Sequence, residues 1–135
     1  MKKSMLVLFS ACLLTGCATV ADVPKSIIGS STKDIEAARV KATTADIQAD
    51  FTGVFDTVLD VAKENKYYVF SQDEVRGLIV LMNIPGCVDT TEVGVFISPL
   101  KGGTFRVEIS SRSSPAKEAV AKLILGKLEE KFKKT

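Results

Sequence analysis

The chain has 135 residues, with 18 Lys+Arg against 16 Asp+Glu and no histidine. That length accommodates one domain with a hydrophobic core but not two. Its near-balanced charge offers no basic surface for nucleic acid, and without histidine neither a zinc site nor a histidine-activated nucleophile is expected.

Met1-Lys2-Lys3 opens the chain, followed by an apolar run from Ser4 to Leu14 that closes on Leu14-Thr15-Gly16-Cys17. A charged start and an apolar stretch of this length are those of a secretory signal. The run is too short for the roughly 20 apolar residues that span a bilayer. The segment resembles the lipobox of bacterial lipoproteins. That resemblance implies cleavage between Gly16 and Cys17, a diacylglycerol on the Cys17 sulfur and acylation, palmitate included, of the new amine. Each buried methylene contributes about 0.8 kcal/mol, so two or three chains anchor stably where one does not. A secretory signal cleaved after Ala18 is the alternative. For a Gram-negative host, the same resemblance implies an outer-membrane anchor facing the periplasm, since Ala18 is not the aspartate that such lipoproteins associate with inner-membrane retention.

Without residues 1–16, 119 residues remain. Lys2 and Lys3 leave with them, so 16 basic side chains face 16 acidic ones. Cys12 leaves as well and Cys17 is alkylated, which makes Cys87 the free thiol. A small residue packed in a turn or core, an intermolecular disulfide in the oxidising periplasm, and a nucleophile are its three readings in order of economy. The expected organisation is a signal over 1–16, the lipidated cysteine and a tether over 17–32, and a single domain over 33–135.

In the tether, Pro24, Gly29 and small residues show no sustained periodicity. Ser31 or Thr32 is placed to cap a short helix, Lys33 to Arg39, with Ile35 and Ala38 on one face. Lys41 to Gln48 reads as an edge strand, with a helix continuing from Lys33 as the alternative. Asp50 is then a fresh N-cap for a helix over Phe51 to Asn65. Its apolar stripe is Phe51, Val54, Phe55, Val58, Leu59 and Ala62, with Asp56, Asp60, Lys63 and Glu64 elsewhere on the wheel.

Four strand-like runs follow. Tyr67 to Phe70 is aromatic and β-branched and ends at the polar Ser71-Gln72-Asp73-Glu74. Val75 to Met82 is almost continuously apolar and is expected at the centre of a sheet, broken by Pro85-Gly86. Thr91 to Ser98 puts Val93, Val95 and Ile97 on one face. After a turn at Ser98 to Gly103, Thr104 to Ser110 alternates, with Phe105, Val107 and Ile109 inward and Arg106 and Glu108 outward. Short connections predict an antiparallel meander. The last helix starts with Ser114 as N-cap and Pro115 as first residue. Its stripe is Ala116, Val120, Leu123, Ile124 and Leu128, extended by Phe132. Lysines gather at its negative end. Gly126 interrupts it, as a close helix–sheet approach would require.

The predicted fold class is α+β: a two-layer sandwich of a four- to five-stranded antiparallel meander with two helices on one face, in the order (β)-α-β-β-β-β-α. This order resembles the helix-grip and TBP-like topologies, the former found in accessory lipoproteins of the outer-membrane protein assembly machinery. Several segments together are also similar to those of a group of small bacterial lipoproteins with no assigned activity. They are the lipobox, Gly29 to Lys33 with Glu36 to Arg39, Val88 to Gly94, and Ile109-Ser110-Ser111. The resemblance implies localisation and fold rather than a reaction.

Chemistry has few candidates, and no catalytic residue, metal ligand or cofactor is expected. Asp89, Glu92 and Asp73-Glu74 are solvated turn acids without EF-hand spacing. Glu92 and Glu108, an acid/base pair only if they meet in a cleft, both read as outward-facing. A Ser-Lys dyad would draw Lys117 together with Ser110, Ser111, Ser113 or Ser114, a cluster that helix capping explains more cheaply. The same helix start, with Arg112 and Ser114, is a candidate anion site. The expected partners are therefore the membrane, through the N-terminal lipid, and an envelope protein, with no nucleic acid. The alternative is a small hydrophobic ligand or lipid carried between sheet and helices, against Phe55, Leu59, Leu81 and Leu123.

Overall fold

Five strands pair in the order β1-β5-β4-β3-β2, every neighbour antiparallel. In the computed structural model, which describes residues 32–133, these are β1 (Thr43–Gln48), β2 (Tyr68–Asp73), β3 (Leu78–Met82), β4 (Val93–Pro99) and β5 (Thr104–Ser110). The signal, the lipobox with Gly16 and Cys17, and nearly all of the tether lie outside the described residues. Residues 32–37 are helical and run into a 3-10 turn, Ala38–Lys41, together called α1. The other helices are α2 (Phe51–Glu64) and α3 (Ser114–Phe132). The α+β two-layer sandwich is thus present. Lys41 to Gln48 resolves into the end of the 3-10 turn and an edge strand.

β1 and β2 are opposite edges, so α2 must carry the chain across the whole sheet. Fourteen helical residues reach about 21 Å at 1.5 Å each, and five strands at about 4.8 Å spacing are about 19 Å wide. Asp50 begins the crossing by accepting the N–H of Gly53 at 3.1 Å. A Schellman closure ends it: Tyr67 N–H donates to Ala62 C=O and Lys66 N–H to Lys63 C=O. Lys66 takes the left-handed position there, at φ 59°. α2 buries Val54, Phe55, Val58, Val61 and Ala62, with Phe51 and Leu59 half-buried. Thr57 is buried too, because its hydroxyl donates to Gly53 C=O and accepts from Lys131 of α3.

α3 returns over the same face and packs on α2, β1 and β5. β2 runs on through Ser71-Gln72-Asp73, where a turn was expected, and four expectations about α3 and β3 also need correction. First, the N-cap of α3 is Ser113, whose hydroxyl accepts the Ala116 N–H at 3.4 Å; Ser114 is the first helical residue and Pro115 the second. No N–H of the first turn has an intrahelical partner, so proline fits the second position as well as the first. Second, Ala121 and Leu125 take the core position expected of Leu123, which is 39% exposed, because α3 is rolled towards both α2 and β1. Third, a Cβ at Gly126 would meet nothing within 4 Å, so no close helix–sheet approach explains that glycine.

Fourth, Val75 belongs to a turn and is 98% exposed; β3 begins at Leu78. Asp73 accepts the Arg76 N–H, Glu74 C=O accepts that of Gly77, and Gly77 adopts φ +64°. A side chain at Gly77 would collide with the Ile97 carbonyl at 2.2 Å. The remaining strand, Leu78 to Leu81, is buried on both faces, as a central position requires. Ile79 and Leu81 face α2 and α3, whereas Leu78 and Val80 join Phe96 and Ile35 in a second apolar cluster on the back of the sheet.

Candidate functional site

That second cluster exists because α1 lies on the back face, where Ile35 enters a notch made by Gly94. A Cβ on Gly94 would stand 2.2 Å from Cγ2 of Ile35. Pairing places Gly94 opposite Ser110 on β5 and opposite Val80 on β3. The buried Ser110 hydroxyl donates to the Ile35 carbonyl at 2.6 Å, fixing the helix above the notch. Ile35 is 2% exposed, and its burial contributes about 1.5–3 kcal/mol.

Polar contacts frame the notch. Arg39 lies over the Phe96 ring, 4.2 Å from its centroid, and pairs with Glu108. Glu36 meets Arg76 and Asp34 meets Arg112, each at 3.3 Å and each well exposed. Exposed pairs contribute roughly 0–1 kcal/mol each, so Ile35 and its hydrogen bond hold the clasp while the charges set its direction. Lys117 of α3 donates to the Lys41 carbonyl at 2.6 Å and secures the end of the 3-10 turn. Three segments far apart in sequence meet here: Glu36 to Arg39, Val88 to Gly94 and Ile109 to Ser111. No periodicity announces that meeting; a glycine inside a strand at Gly94 was the available signal.

The candidate anion site lies at one end of the clasp. An open cavity of about 560 Å³ is lined by Asp34, Thr90, Thr91, Glu92, Arg112 and Ser113, among others, but not by Ser114. Arg112 already faces Asp34, and Glu92 adds a second carboxylate against the one guanidinium. The hydroxyl of Ser113 is engaged at the helix start, and that of Ser111 donates to the Glu92 carbonyl at 2.6 Å. Ser110, Ser111 and Ser113 therefore cap and staple, and Lys117 points its amine at a backbone carbonyl.

Other candidates are dispersed. Glu108 sits across from Phe96, while Glu92 precedes β4 by one residue, so the two are about four residues, or about 13 Å, apart along the strands. Among the described residues no group of three His, Cys, Asp or Glu could hold a metal ion. Cys87 follows the Pro85-Gly86 turn, half-buried against the main core. Burial raises the pKa of Tyr67 above the ordinary tyrosine value, with the nearby Cys87 adding to the shift. On the back of the sheet Arg106 grips both carboxylate oxygens of Asp46 across β1 and β5, at 2.9 and 3.2 Å. That hydrogen bonding lowers the Asp46 pKa below the usual carboxylate range.

Phe55 and Leu81 are inside the packed core, Leu59 is half-buried at its margin and Leu123 is on the outer side of α3. The four residues expected to wall a ligand cavity do not face one space. No described helix is long and apolar enough to cross a membrane. No family model matches the chain, and no curated protein matches it either.

Proposed function

We propose that this protein is a lipid-anchored, non-catalytic binding or scaffold domain of the bacterial cell envelope, held at the outer membrane and facing the periplasm. The observation that carries the reading is the clasp of α1 on the back of the sheet. The chain segment that follows the tether is bound into the domain through Ile35, Ser110 and Arg39, so a lipid on Cys17 would hold the domain by a fixed point on one face. Ser110, Ser111 and Ser113, with the Lys117 that could have completed a nucleophilic dyad, are committed to structural hydrogen bonds, which supports a role without turnover. A ligand carrier has less support, since its expected cavity walls are dispersed.

Metabolic labelling with an alkyne palmitate analogue, followed by membrane fractionation, tests the anchor in wild type and Cys17→Ser. Label and outer-membrane recovery in wild type, both lost in Cys17→Ser with the domain still folded, is the expected result. An unlabelled, soluble wild-type protein overturns the reading.

A further inference from the structure

The two edges of the sheet are not alike. β2 is broken by a bulge between Val69 and Ser71, an irregularity that guards an edge against further pairing. β1 runs six residues in unbroken register with β5 and contains no proline, lysine or bulge. Alternate residues of such a strand turn their N–H and C=O groups outward, and those of β1 take no further partner among the described residues.

Beside this edge runs an open groove of about 600 Å³ between β1 and the second half of α3. Ile47, Leu128 and Phe132 give it an apolar floor. Gly126 opens its wall: the residue is exposed, and its missing side chain would touch nothing. A mid-helix glycine costs stability relative to alanine, and no packing contact here requires one. The rim carries Glu129 and Glu130, neither ion-paired among the described residues, against a single Lys133. Asp46, the other acid of the rim, is already held by Arg106.

We infer that β1 and this groove form a docking site for an extended segment of a partner protein, added as a sixth strand. Main-chain pairing along Thr43–Gln48 supplies the affinity. One apolar side chain enters the groove where Gly126 leaves room, and a lysine or arginine two positions away, on the same face of the added strand, meets Glu129 and Glu130. The inference rests on the reading of the protein as a binding module and names the chemistry of what it binds.

Two measurements test it on the full chain. In the first, purified protein in detergent is titrated with the octapeptide Val-Thr-Lys-Thr-Val-Thr-Lys-Thr, whose valines and lysines share one face of a strand, and with its valine–glutamate counterpart, under amide hydrogen exchange. The valine–lysine peptide is expected to bind and to slow exchange in Thr43–Gln48. Gly126→Leu is expected to weaken binding by about tenfold or more while raising the unfolding midpoint, since leucine favours the helix and fills the groove. Glu129→Lys with Glu130→Lys is expected to transfer preference to the valine–glutamate peptide. Failure of both peptides to bind, or binding that Gly126→Leu leaves unchanged, overturns the site.

In the second, a photo-crosslinking residue replaces Gln48 on β1 or Ser71 on β2 in cells. Adducts from Gln48 whose crosslinked peptide carries an apolar and a basic residue two positions apart, lost in Gly126→Leu, support the site. A dimer crosslinked at Gln48 overturns it in favour of a second copy of this chain. Adducts from Ser71 alone overturn the β1 site and leave the scaffold reading standing. Adducts from neither position, in a protein recovered from the soluble fraction, remove both.

Discussion

Gly94 and Ile35, 59 positions apart, occupy one volume: the space a β-carbon of the first would fill belongs to Cγ2 of the second, 2.2 Å away. α1 can lie against the Leu78, Val80 and Phe96 part of the back face because Gly94 has no side chain. Gly94→Ala is expected to expel Ile35 and lift α1 off the sheet. The loss is bounded by what the clasp contributes, about 2 kcal/mol from burial of Ile35, because α1 can swing away and spare the main core. Urea titration together with amide exchange over residues 32–41 reads this. Rapid exchange there with the core strands still protected is expected. Adding Ser110→Ala should cost little more, whereas Ser110→Ala alone removes about 1 kcal/mol. Full additivity of the two would sink the notch account.

Gly126→Ala is expected to stabilise the protein by about 1 kcal/mol, since the added methyl group meets no neighbour and the helix loses its most flexible residue. Thermal unfolding followed by circular dichroism would show a rise of several degrees, on the order of 5 °C for a domain of this size. A drop in midpoint would mean that the open wall of the β1 groove is occupied in the native protein.

Lys66 ends α2 in the left-handed region, at φ 59°, where a β-carbon is strained and glycine is not. Lys66→Gly is therefore expected to raise stability by about 0.5–1 kcal/mol despite the greater freedom it gives the unfolded chain. Chemical denaturation of wild type and variant decides the sign. A destabilised variant would show that the flexibility of the unfolded chain outweighs the relief of strain.

Asp46 titrates below the usual carboxylate range because Arg106 donates to it. A folded-state pKa below the unfolded one means that the pair contributes stability above about pH 4 and loses it as pH falls through the folded value. In Asp46→Asn the acid limb of the stability curve should be shallower below about pH 4 than in wild type. The pair is exposed, so the change is expected to be small and to shrink further in high salt. An identical acid limb in the two proteins would remove Asp46 from the titration.

Periodicity carried much of the architecture. The i, i+3, i+4 stripe from Phe51 to Ala62 and the alternation of Phe105, Val107 and Ile109 are local records of which side meets a core, and α2 and β5 follow them. The turns at Pro85-Gly86 and Gly102-Gly103, and the Asp50 cap, were equally legible because their causes lie within a few residues. Tertiary structure decided what depends on residues far apart. Leu123 and Leu125 have the same helical propensity, and only the roll of α3 towards β1 buries one and exposes the other. Val75 continues an apolar run, yet Gly77 must approach the Ile97 carbonyl, which places the turn there and leaves Val75 in water. The notch under Ile35 and the groove beside Gly126 are each made by a missing side chain. A missing side chain gains meaning only from the neighbour that strand register and helix packing bring to it, and no local pattern of residues records that neighbour.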